Sequence, residues 1–183
     1  MISSNAKDSF DRIFRKAAQS RLPLSASDVC EIAPSGNDFA DAMLASAGNV
    51  VVLTISSIEF RLLLVLHCGG DERAREYFTR GQGQGGAPFD ETLLEVGNLC
   101  CGAVNQELVR HFPDLGMSTP YALSARCVSY LEELKPGLLT SYKVTINDSV
   151  QLDATVCVCA HAPIDFTADI GAETESCGEL ELF

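Results

Sequence analysis

Apolar positions in this chain recur with two different periods, and the switches between them outline its elements. Residues 7–20 carry Phe10, Ile13, Phe14 and Ala17 at helical spacing, which predicts an amphipathic helix ending near Leu22-Pro23. Residues 25–34 alternate weakly and predict a strand, with Pro34-Ser35-Gly36-Asn37 as a turn. Phe39, Met43 and Leu44 predict a short helix over 38–48. The runs NVVVLTIS (49–56) and FRLLLVLH (60–67) are rich in β-branched and apolar residues and predict a hairpin in the centre of a sheet. From Leu62 to Leu66 the run is apolar without a break, more than a strand with one wet face needs. A helix or a second subunit is therefore expected over its other face. Residues 71–79 predict a short helix. The GQGQGG stretch (81–86) reads as a linker: no Gly-Lys-Ser/Thr follows it and no strand directly precedes it, so it is no phosphate loop.

Residues 91–111 predict the longest helix, and its two faces differ. At about 100° per residue, Leu93, Val96, Cys100, Val104 and Leu108 form one apolar stripe. Glu91, Glu95, Asn98 and Gly102 fall on the far side, within an arc of roughly 60°. Core packing does not call for that second stripe, so it is the place to look for function. Asp90 is a good N-cap, with Phe89 and Leu94 able to form a hydrophobic staple across it. A structural alternative exists: Thr92-x-x-Glu95 fits a capping box, which would reduce Glu95 to a helix-end ligand and Asn98 to an ordinary surface residue.

Beyond Phe112-Pro113 the pattern becomes extended. Strands are predicted at 121–130, 139–147 and 149–160, with Pro136-Gly137 and Asn147-Asp148 as turns. Short connections between strands imply antiparallel pairing, so the fold class is α+β, an antiparallel β-sheet packed with α-helices. One domain is expected over 1–166. Residues 167–183 are acidic and without period, which predicts a loose tail.

Composition narrows the function classes. A net charge of -12 and no basic cluster argue against nucleic acid or an anionic membrane as partner. The longest apolar run is far too short to span a bilayer. Eight cysteines without a secretory leader point to free thiols in the cytoplasm. Cys157, Cys159 and His161 alternate along one predicted strand, but the paired spacing of zinc sites is missing, and packing thiols explain the cysteines better. No metal site is assigned. Cys100-Cys101 read as packing residues, and no serine or cysteine stands in a nucleophile motif.

Glu95-x-x-Asn98, then Gly102, then Ser118-Thr119-Pro120 resembles the CheC/CheX family of chemotaxis phosphatases, whose signature is an acidic or serine residue, Glu-x-x-Asn on a helix, and a proline twenty-odd residues on. Val96-Gly97-Asn98-Leu99 resembles the family's surrounding sequence, and the predicted element order matches it over nearly the whole chain. With a single Glu-x-x-Asn the chain looks like the CheX type, for which the precedent is a homodimer. Glu91 stands where the family has Asp or Ser.

The resemblance implies a CheC/CheX-like fold and hydrolysis of the aspartyl phosphate of a CheY-like response regulator. It implies Glu95 and Asn98 as the catalytic pair, Glu95 anchoring the partner's lysine and Asn98 positioning the attacking water. Glu91, Gly102 and Pro120 would then contact the partner. No cofactor of the chain's own is implied; the Mg2+ is expected on the phosphorylated receiver domain. The alternative within the same fold is a non-catalytic binding module of the chemotaxis and flagellar signalling machinery.

Overall fold

A computed structural model describes residues 1–35, 48–69, 71–80 and 88–169. The helix expected over 38–48 lies outside them except for Gly48, as do the stretch 81–86 and the tail from 170 onward. Helix α1, Ser4–Arg21, starts earlier than its apolar period because Ser3 caps it, its Oγ accepting from the Ala6 N–H at 3.1 Å. Strand β1 is only Cys30–Pro34. The preceding residues, expected as strand, instead fold around Asp28. Tyr77 Oη donates to Asp28 Oδ2 at 2.6 Å, Asn147 Nδ2 donates to Oδ1 at 2.7 Å, and the Ser25 N–H donates to Oδ2 at 3.2 Å.

Strands β2 (Asn49–Ser56) and β3 (Phe60–His67) form the predicted hairpin. Helix α2 is Glu72–Thr79, capped by Asp71. Helix α3, Phe89–Leu108, leads into the short strands β4 (Gly116–Met117) and β5 (Tyr121–Ser124). Strands β6 (Leu138–Ile146) and β7 (Val150–Ala160) close the chain's sheet, joined by Asn147 and Asp148 at φ 50° and 56°. Two successive left-handed residues match the twist of a tight hairpin, the role predicted for this pair. The described strands form one antiparallel sheet in the order β1-β6-β7-β3-β2-β4, with β5 also paired to β2. The fold is α+β, as expected.

Both faces of this sheet are covered. Val51, Leu53, Ile55, Leu62, Leu64 and Leu66 point to the helices and share one core with Phe10, Phe14, Val96 and Cys100. Val50, Val52, Val65 and Cys157 point the other way, to Ala125, Val128 and Leu131. The strand expected over 121–130 therefore stops at Ser124 and becomes 3₁₀ helix, Ala125–Tyr130 and then Glu132–Leu134. The reason is the three-residue spacing of Ala125, Val128 and Leu131, which fits three residues per turn and folds this segment over the second face. This segment of the same chain covers the apolar run of β3. At the other end Ile2 bridges to Ile164, and Ala168, inside the stretch expected as tail, is buried with its N–H on Ser9 Oγ at 2.9 Å. Among the described residues no helix is long and apolar enough to cross a membrane.

Candidate functional site

Helix α3 positions most of the site, and its start differs from the prediction. The N-cap is Pro88, not Asp90, and the Thr92 N–H donates to the Pro88 carbonyl at 3.1 Å. Phe89 is pulled into the first turn by packing, its ring 6.4 Å from that of Phe78 with the Arg75 guanidinium 5.0 Å above it. Asp90 and Glu91 then sit in the first turn, where carboxylates favour the helix dipole. The Phe89/Leu94 staple across Asp90 does not apply. Neither does the capping box, because Thr92 lies inside the helix rather than at its start.

The apolar stripe is buried as predicted: Leu93, Val96, Cys100, Val104 and Leu108 all face the sheet. Gly97 is buried with them. A Cβ built there would lie 3.2 Å from Val51 Cγ1 and 3.3 Å from both Leu53 Cδ1 and Leu66 Cδ1. Glycine lets the helix backbone settle onto β2 and β3 between Glu95 and Asn98, which sets the depth of both. Sequence reasoning passed over this residue, although a glycine inside a helix costs enough to need a packing reason.

On the far side, Glu91 and Glu95 are exposed, and Asn98 and Gly102 are half-buried. Glu91, Glu95 and Asn98 make no hydrogen bond or ion pair among the described residues. A Cβ at Gly102 would meet nothing within 4 Å, so the surface there is open. These four lie along one helix face, Glu95 and Asn98 as i,i+3 neighbours.

Pro120 is on a different element. It lies between β4 and β5 along the edge of β2, the strand on which α3 packs. Met117 pairs with Ile55 and Tyr121 with Val52, so three residues on this edge, 118–120, face two on β2. The bulge is pinned by Ser118: its N–H donates to the Thr54 carbonyl and its Oγ accepts from the Thr54 N–H, both at 2.9 Å. Pro120 suits the spot because an unpaired edge position needs no donor. A cleft of about 180 Å³ separates this edge from the helix, lined by Val51, Phe89, Leu93, Leu94 and Ala122 among others.

Burial keeps several of the described thiols protonated. Burial pushes the Cys101 and Cys157 thiols up to about 12, Cys157 with help from the neighbouring Cys159. The partly buried Cys68 is pushed up to about 12 and Cys30 to about 11 for the same reason. Cys159 points its Sγ toward the Leu134 carbonyl at 3.9 Å, and His161 is exposed beyond the end of β7. Among the described residues no group of three histidine, cysteine or acidic side chains is placed to hold a metal ion. His67 is buried at the end of β3, Nδ1 3.6 Å from Asp153 Oδ2.

The architecture just described, helices packed on one face of an antiparallel sheet, is one seen in solved structures. No protein-family model and no curated protein matches the sequence. The chemotaxis protein CheX from Vibrio vulnificus matches with a TM-score of 0.58 at 14% identity, over 81% of this chain and 98% of that one. A putative chemotaxis protein from Desulfovibrio vulgaris Hildenborough matches at 0.57 and 13%, over 85% and 99%. A CheX–CheY–BeF3–Mg2+ complex from Borrelia burgdorferi matches at 0.52 and 10%, over 82% and 96%. The FliM middle domain from Vibrio alginolyticus matches at 0.53 and 8%, over 82% and 90%. The resemblance read from the helix motif thus holds at the level of the fold, which is CheC/CheX-like.

Proposed function

We propose that the protein is a phosphatase for the aspartyl phosphate of a CheY-like response regulator. The observation that carries this reading is the pair Glu95 and Asn98, adjacent on the outer face of α3 and without a hydrogen bond or ion pair within the described protein. Polar side chains held on a rigid helix, without internal hydrogen-bond partners, are free to serve a ligand.

The chemistry asks little of the protein beyond position. Water attacks the phosphorus in line, the P–O bond to the aspartyl oxygen breaks, and the products are a carboxylate and inorganic phosphate. The transition state is loose, so orientation of the water and stabilisation of charge dominate. The Asn98 amide can accept a proton contact from that water and keep its own charge unchanged. Glu95 pairs with the receiver's lysine and holds the two proteins in register, while the receiver brings its own Mg2+. Glu91 adds negative charge toward a basic partner edge, Gly102 leaves clearance, and Pro120 meets the partner from the edge between β4 and β5. Phosphate release from an acetyl-phosphate-loaded CheY-like receiver tests the reading. Asn98→Ala is expected to lower the rate on the order of 10²-fold, and equal rates for the two proteins remove it.

A second reading, a binding module without turnover, is favoured by Glu91 in place of Asp or Ser and by the fold shared with the FliM middle domain. A receiver that binds but keeps its phosphate lifetime supports it. On either reading we place the protein in the cytoplasm as a homodimer. The exposed apolar strip of Tyr121, Leu123, Tyr130 and Leu134 is the surface offered for the second copy. Light scattering should give twice the chain mass, and Leu134→Glu should halve it; a wild-type monomer would exclude the dimer.

A further inference from the structure

Helix α1 carries the opposite charge from α3, the helix it packs against. Its stretch RIFRKAAQSR (12–21) holds four cations and no carboxylate, in a chain with 25 acidic and 13 basic side chains. On α3, residues 90–98 hold Asp90, Glu91 and Glu95 and no base. Three of the four cations are engaged inside the fold. Arg12 donates to the Asp8 carbonyl at 3.3 Å and to Ser9 Oγ at 3.4 Å. Arg15 donates to Asp11 Oδ2 and to the Ile32 carbonyl, both at 2.8 Å, and Lys16 to Glu107 at 2.8 Å. Arg21 is exposed, and its side chain makes no hydrogen bond or ion pair among the described residues.

The place of this free guanidinium connects it with the site. A groove of about 130 Å³ runs between the two helices, with Ala17, Ser20 and Arg21 on one wall and Ala103 and Gln106 on the other. Ala103 follows Gly102 and Gln106 lies one turn beyond it, so the groove opens at the shoulder of the stripe. Packed helices lie about 8–10 Å apart. A standard interface covers about 800 Å² on each partner, so a protein seated on the stripe also covers a ridge one helix away. A cation in the last turn favours the helix dipole as well, a role that needs no partner, and the test has to separate the two.

We propose that Arg21 is a docking residue, its guanidinium pairing with an aspartate or glutamate on the receiver domain that lies across α3 and α1. The docking face is then bipolar: carboxylates on α3 meet a basic edge of the receiver, and Arg21 meets an acidic one. Opposite charges one helix apart fix which way round the receiver sits, because the reversed orientation sets like charges against each other. The inference rests on the phosphatase or receiver-binding reading above and adds a second helix to its contact.

The test compares wild type with Arg21→Gln, Arg21→Glu, Lys7→Glu and Asn98→Ala. Each is titrated with a beryllofluoride-activated CheY-like receiver carrying Mg2+, assayed for phosphate release, and unfolded thermally. Arg21→Gln is expected to raise Kd about threefold, the size of one exposed ion pair, with the loss in KM rather than kcat. Arg21→Glu adds repulsion and is expected to raise it about tenfold, a difference that shrinks toward 1 M salt. Lys7→Glu makes the same change of net charge at the start of α1, outside the groove, and is expected to leave Kd as it was. An unchanged Kd in Arg21→Glu, whatever its unfolding midpoint, assigns Arg21 to the helix end and overturns this inference; Asn98→Ala still losing turnover then leaves the phosphatase reading standing. Equal losses in Lys7→Glu and Arg21→Glu also overturn it, because net charge alone would be responsible. Wild type that neither binds nor dephosphorylates the receiver removes both.

Discussion

The same substitution at two glycines of α3 should have opposite effects, which makes the docking of this helix measurable. Alanine in place of an interior helical glycine gains about 1 kcal/mol from backbone entropy alone. At Gly102 the new methyl meets nothing within 4 Å, so Gly102→Ala should realise that gain in full. At Gly97 the methyl arrives 3.2–3.3 Å from side-chain carbons of Val51, Leu53 and Leu66. Leu53 and Leu66 are fully buried and Val51 nearly so, so none has solvent to move into. Overpacking of that kind costs about 1–3 kcal/mol, which cancels or exceeds the gain. The two variants should therefore differ by roughly 1–3 kcal/mol, or several degrees in Tm at about 2–4 °C per kcal/mol for a chain of this size. Urea unfolding with matched m-values is the assay. Gly97→Ala as stable as Gly102→Ala would mean that the helix is not held by close approach at this point. The functional readout should run the other way at Gly102, where added stability comes with a methyl in the clearance proposed for the receiver.

Two further predictions concern the supports of the site and fold. Ser118→Ala removes the acceptor for the Thr54 N–H in a bulge where no backbone carbonyl replaces it, so a loss of about 1–3 kcal/mol is expected in urea unfolding; a change below about 0.5 kcal/mol would refute the pinning role. Tyr77→Phe should destabilise the Asp28 turn in a pH-dependent way. The Tyr77 hydroxyl first, then the Asn147 amide, hold the Asp28 carboxyl below its ordinary value of 3.8. A carboxyl depressed in the folded state contributes stability that is complete above its unfolded pKa and lost as pH falls through the folded one. The stability gap between wild type and Tyr77→Phe should thus be widest near neutrality and shrink below pH 3.8. A gap that stays constant down to low pH would assign the loss to the phenol's packing.

Legibility in the sequence followed the range of the interactions involved. Strands β2 and β3 match their predicted limits because unbroken β-branched runs need no outside help to be extended. The two faces of α3 were readable for the same reason, since helical period alone sorts Val96 from Glu95. Its first residue was not, because Phe89 joins the helix through α2 and the ring of Phe78, which the local signal of Asp90 cannot anticipate. The 3₁₀ cover of the sheet was hidden because Tyr121, Leu123 and Ala125 also fit a strand, and only the second apolar face of β3 decides between them. Ser118 had no local signal at all; its partner is Thr54, 64 residues away.

The supports of the stripe suit the kind of chemistry proposed for it. An amide that only orients a water supplies no proton and no charge, so its contribution depends on being held within a fraction of an ångström. α3 is held that way. Gly97 brings its backbone against Val51, Leu53 and Leu66, and those strands cannot retreat because the 3₁₀ segment fills their other face. Lys16 reaches from α1 to Glu107 at 2.8 Å and fixes the helix's far end, a half-exposed pair whose value is orientation more than energy. The edge that carries Pro120 is tied to the same strand, β2, through both hydrogen-bonding groups of Thr54. Helix stripe and edge therefore share one rigid reference. A substitution that loosens this reference, such as Ser118→Ala, should lower turnover by more than its effect on folded population, whereas a simple binding surface would tolerate it.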